Sequence, residues 1–70
     1  MIEVNKVFTI EKGSRKKMWK AIPHPNFDNV YALVSDHPYL RADIRAYDIK
    51  HIVGGSHTLE GVYEQAYMHT

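Results

Sequence analysis

The sequence predicts a small, mostly β domain with one C-terminal α-helix: an SH3-like barrel or a curled antiparallel meander of four to five strands. Three observations lead there. Apolar and polar residues alternate near the start of the chain, the period of a half-buried strand. The run Val30-Tyr31-Ala32-Leu33-Val34 is β-branched and aromatic, the composition of a central strand. Beyond Gly54-Gly55 the apolar residues switch to helical spacing.

In residues 2–10, Ile2, Val4, Phe8 and Ile10 fall on one face, interrupted only by Lys6, while Glu3, Asn5 and Thr9 fall on the other. This predicts the first strand. Lys12-Gly13-Ser14-Arg15-Lys16 has turn chemistry and predicts a basic loop over 12–17. Met18 to Ile22 is the next strand, ended by Pro23, which cannot donate to a ladder. Residues 24–29 read as a loop, 30–34 as a strand, and Ser35-Asp36-His37-Pro38 as a further interruption. Leu40, Ala42, Ile44 and Ala46 alternate like a strand, although Ile44, Tyr47 or Asp48, and Ile52 also fit a helical stripe. Strands over 41–46 and 49–53 are the preferred reading, with helix as the alternative. Gly54-Gly55 marks a break. Leu59, Val62, Tyr63, Ala66 and Tyr67 then predict an amphipathic helix over 58–68, capped by Ser56 or Thr58. Gly61 inside it costs about 1 kcal/mol against alanine.

The stretch Ile44-Arg45-Ala46-Tyr47-Asp48-Ile49-Lys50-His51-Ile52 resembles the Ile-Arg-Gly-x-x-Ile signature that closes the barrel of the Sm-like family. The resemblance covers nine of seventy residues, and Ala46 stands at the family's glycine. It implies a small barrel. The family's first signature, with its Asp and Asn, has no counterpart in residues 29–40, so RNA binding is not carried over.

Seventy residues predict a single domain, 1–70, with a thin core. Such domains often lean on a metal or a second subunit. The chain has no cysteine, no apolar run of membrane-spanning length and no signal-peptide layout at its start, so the expectation is a cytoplasmic protein with no membrane partner. The net charge of +1 hides an asymmetry. Residues 1–22 carry six basic residues against two acidic, a balance of +4, and residues 23–70 carry three against six, a balance of −3. Such a chain can steer an anion to one end, or let two copies attract head to tail.

The basic cluster beside Trp19 carries the expected ligand site. Cations neutralise phosphates, and a flat ring can stack a base. In a meander, alternate loops share one end, so the loop at 35–40 should neighbour the basic loop. The candidate ligand-binding residues are therefore Arg15, Lys16, Lys17, Trp19, His37, Tyr39 and Arg41. The five histidines lack the close spacing of a zinc site, and no metal or cofactor is expected. Ser14, Ser35 and Ser56 lie outside any nucleophile-elbow pattern, Asp36-His37 are sequence neighbours, which on a strand or turn usually point apart, and Glu60 and Glu64 read as a solvated helix face. No catalytic grouping emerges, so no enzyme is expected.

The function expected is a small non-catalytic binding protein that captures an anionic ligand, nucleic acid or phosphorylated nucleotide, at the basic loop. The alternative is a protein–protein inhibitor or adaptor acting on a host protein. The chain's brevity makes it look like the small accessory proteins of phages and mobile elements. A five-stranded barrel leaves little face to seat the helix, so a homo-oligomer is also expected, most simply a two-fold dimer through Leu59, Val62, Tyr63 and Tyr67.

Overall fold

The computed structural model describes residues 2–35 and 52–70. Four strands, β1 (Val7–Lys12), β2 (Arg15–Pro23), β3 (Tyr31–Ser35) and β4 (Ile52–Ser56), precede one helix, α1 (Leu59–His69). The strands pair antiparallel in the order β1-β2-β3-β4. Among the described residues nothing joins β1 to β4, so the sheet is an open meander and the barrel is not closed. The helix lies across one face of this sheet. His37, Tyr39, Arg41 and the strand expected over 41–46 lie outside the described residues.

The first strand begins later than alternation alone suggests. Asn5 sits at φ 65°, a left-handed conformation that asparagine tolerates better than most residues. Its N–H donates to the Ala21 carbonyl at 2.8 Å, and Val4 makes an isolated parallel bridge with Ala21. The chain thus turns at Asn5 and Lys6 before entering β1.

The expected basic loop is also shorter. Lys12 pairs with Arg15, leaving only Gly13 and Ser14 as the turn. Gly13 has φ 62°, which glycine adopts at the first central position of a two-residue hairpin turn. Arg15, Lys16 and Lys17 are therefore strand residues, and their side chains alternate between the two faces.

Gly54 and Gly55 form part of β4 instead of a break. They pair with Leu33 and Ala32, and a bulge next to them leaves Val53 unmatched between the Leu33–Gly54 and Val34–Ile52 pairs. The glycines are needed because the helix comes close. Gln65 accepts from the Gly55 N–H at 2.8 Å and donates to the Gly55 carbonyl at 2.5 Å. A Cβ at Gly54 would overlap the Gln65 Oε1 atom. The amide of Gln65 thus bonds to the edge strand as another strand would.

The helix seats its own apolar stripe. Val62 and Ala66 pack with Ile10, Trp19, Ala21 and Leu33, and Ile2, Phe8, Tyr31 and Leu59 close the margin. Ile22, Ala32 and Val34 form a second buried cluster with Ile52. In β3 these residues alternate with Tyr31 and Leu33, so this cluster lies on the opposite face. The expectation that the stripe lacked a seat is corrected: an open sheet offers a whole face. The helix is capped by Thr58, whose hydroxyl accepts from the Gly61 N–H at 3.1 Å. Ser56 supports the cap by accepting from the Thr58 N–H at 3.3 Å. A Cβ at Gly61 would collide with the Ser56 side chain, which accounts for a glycine in the first turn.

Candidate functional site: a basic hairpin against a helix end

The β1–β2 hairpin and the end of α1 are brought together from opposite ends of the described chain. The anchor is Trp19. Its indole Nε1 donates to the Thr70 hydroxyl at 3.0 Å, and that hydroxyl donates to the Ala66 carbonyl at 2.7 Å. Thr70 also closes the last turn through its own N–H, which reaches the Ala66 carbonyl at 3.0 Å. Every polar group in this buried relay has a partner, as burial requires. Trp19 is 1% exposed, so of the two places the sequence allows it, core or stacking platform, it takes the core. A tryptophan that buries its ring while its N–H finds an acceptor satisfies both halves of the side chain.

Around this anchor lie the cations of the hairpin. Cross-strand pairing puts Lys12 opposite Arg15 and Ile10 opposite Lys17, so Lys12, Arg15 and Lys17 share the helix-bearing face. The Lys12 ammonium lies 3.4 Å from the Tyr67 carbonyl and 4.8 Å from the centre of the Tyr67 ring. Arg15 donates to the Thr70 main-chain oxygen at 3.3 Å. Lys17 sits 4.3 Å from the centre of the Trp19 ring. Like charges facing each other across a ladder repel by a few tenths to 1 kcal/mol. Here the partial negative charge at the helix C-terminus offsets that repulsion. Lys16 is on the other face, in register with Glu11.

Tyr67 is the residue that sequence reasoning missed at this site. The sequence places it at an oligomer contact, and in the structure its ring lies beside Lys12 and is 46% exposed. Helical spacing places Tyr67 on the apolar stripe but does not say which strand the stripe meets. His69 also reaches this end, its ring 6.3 Å from that of Trp19. No three His, Asp or Glu side chains gather into a metal-binding group among the described residues.

The chain matches no protein-family model, no curated protein and no solved structure.

The four residues expected at a subunit contact divide. Val62 is 0% exposed and belongs to the core of its own domain, which corrects its assignment. Leu59 is half-buried against that core. Tyr63 and Tyr67 keep nearly half of their surface exposed. Tyr63 stacks on Phe8 with ring centres 6.0 Å apart. Beside it opens a groove of about 630 Å³ lined by Ile2, Leu59, Glu60, Tyr63 and Glu64. Glu60 and Glu64 are exposed, as expected of a solvated helix face, and they also line this groove. No described helix is long and apolar enough to cross a membrane.

Proposed function

We propose that this chain is a non-catalytic binding module that captures a phosphate-bearing ligand with a base, a nucleic acid or a nucleotide, at the basic hairpin end. One observation supports the reading above others: Lys12, Arg15 and Lys17 lie on one face of the hairpin, and Lys12 adjoins the half-exposed Tyr67 ring. Cations attract phosphate and an accessible ring stacks a base regardless of its identity. Tyr67 takes the stacking role that the buried Trp19 cannot fill. The contact from Lys12 to the Tyr67 carbonyl holds its ammonium over the ring, and Arg15 is held at the Thr70 main-chain oxygen beyond the helix, which lowers the ordering cost of binding.

The test is titration of a labelled single-stranded oligonucleotide and, separately, of a nucleoside triphosphate over a range of salt. Affinity should fall steeply as salt rises, and Arg15→Ala and Lys17→Ala should each reduce the salt slope for the oligonucleotide by about one. Tyr67→Ala should weaken binding by about fivefold to a hundredfold, since stacking contributes about 1–3 kcal/mol per base. Tighter binding of the oligonucleotide points to nucleic acid, and tighter binding of the triphosphate to a nucleotide. No binding of either at low salt, or binding indifferent to all three substitutions, overturns the proposal.

A further inference from the structure

The three cations on the helix-side face of the hairpin do not converge on one point. The Lys12 ammonium lies at the Tyr67 ring, the Arg15 guanidinium reaches the Thr70 main-chain oxygen, and the Lys17 ammonium lies over the Trp19 ring. Arg15 and Lys17 are two residues apart on β2, which sets their Cα atoms about 7 Å apart. Tight polyphosphate sites are built differently. There the backbone amides of a glycine-rich loop or a helix N-terminus close around neighbouring phosphates. Here the helix presents its C-terminus, whose partial negative charge opposes a dense anion. The N-terminus, the end that favours phosphate, is the far end of α1, where Thr58 caps it and Glu60 adds a negative charge.

The ring sets a second condition. Stacking requires access to the flat face of a base. In a duplex those faces are covered by neighbouring bases, and only the base edges show in the grooves. A two-stranded β-ribbon can enter a major groove to read such edges. The face bearing Lys12, Arg15 and Lys17 is the one against which α1 packs, so it is not free to lie in a groove. This end offers separated cations and a half-exposed ring beside one of them.

Granted the reading above, that the basic end takes a phosphate-bearing ligand with a base, we infer that the ligand is an unpaired polynucleotide strand. Its phosphates run past Lys12, Arg15 and Lys17, and one base stacks on Tyr67. Phosphates separated by a sugar suit cations that stand apart, whereas the phosphates of a nucleotide are joined directly through shared oxygens. An unpaired base has a free face to offer the ring. Stacking accepts any base, so sequence preference is weak.

Titration of the whole chain tests it with a short single strand in DNA and RNA forms, the matching duplex, a strand of abasic units and a nucleoside triphosphate. The single strand should bind tightest. The logarithm of its affinity should fall against the logarithm of salt with a slope of about −2, since each of three phosphate contacts contributes about −0.7. The abasic strand should bind about fivefold to a hundredfold more weakly, the loss of one stacked base. Tyr67→Ala should weaken the single strand by the same factor and leave the duplex and the abasic strand unchanged, while Tyr67→Phe, which keeps the ring, should bind as the unmodified chain does. Near-ultraviolet circular dichroism of the buried Trp19 checks that each variant is folded. Tight binding of either the DNA or the RNA strand supports the inference, and a preference between them identifies the sugar. A duplex or triphosphate bound as tightly as the single strand, and still weakened by Arg15→Ala, Lys17→Ala and Tyr67→Ala, overturns the inference and leaves the wider ligand-binding reading standing. An abasic strand bound as tightly as the complete one overturns it as well. Absence of binding by every probe at low salt overturns both.

Discussion

Substituting Gly54 by alanine should change sign with its background. In the unmodified chain the new Cβ would overlap Gln65 Oε1, so the amide must swing away and release both hydrogen bonds to Gly55. A hydrogen bond contributes about 0.5–1.5 kcal/mol net, so the two together account for about 1–3 kcal/mol. Alanine in place of glycine returns about 0.4–1 kcal/mol through the unfolded chain, provided the backbone suits it. Gly54 is not in the left-handed region, so this gain applies. Gly54→Ala alone should therefore destabilise the fold by about 0.5–2 kcal/mol. In a Gln65→Ala background the obstruction is gone, and the remaining neighbour is the residue-65 Cβ at an ordinary 3.8 Å. The same Gly54→Ala should then stabilise by about 0.5 kcal/mol. Urea denaturation of the four proteins in this double-mutant cycle yields the coupling, expected at about 1–2 kcal/mol. Additive effects within about 0.3 kcal/mol would refute the role assigned to Gln65.

Other outcomes follow from the same contacts. Thr58→Ala removes the side-chain acceptor for the Gly61 N–H and should cost about 0.5–2 kcal/mol in denaturant melts. Gly13→Ala meets no atom within 4 Å, so its cost should be purely the backbone strain of a positive φ, about 1–2 kcal/mol, with no change in the buried Trp19 signal. Thr70→Val keeps the shape but leaves the indole N–H of Trp19 without its acceptor, and should cost about 1–3 kcal/mol with a shift in tryptophan emission.

The parts of the fold legible in the sequence are those fixed by local periodicity. The run at 30–34 lies within one residue of β3, and the stripe from Leu59 to Tyr67 lies on α1. The parts that were not legible depend on contacts between distant residues. Gly54-Gly55 carries a turn signal, but these glycines serve a strand that Gln65 approaches closely. Arg15 to Lys17 read as a loop because charge and a nearby glycine suggest one, yet two residues suffice for the turn. At the candidate site, composition points to the cations, while the ring that is accessible beside them is Tyr67 and Trp19 is buried. Which aromatic is buried depends on where the helix ends, and no local pattern encodes that. His37, Tyr39 and Arg41 lie outside the described residues.

The relay from Trp19 through Thr70 to Ala66 alters how the domain should breathe. Helix ends usually fray first, at little free-energy cost, and independently of the interior. Here the final helical turn cannot loosen without stripping the acceptor from the indole at the centre of the sheet. End fraying and wetting of the interior become a single event. Amide exchange at Ala66 to Thr70 should thus track that of Ile10 and Leu33, and the lone tryptophan becomes an optical gauge of an opening some fifty residues away in sequence.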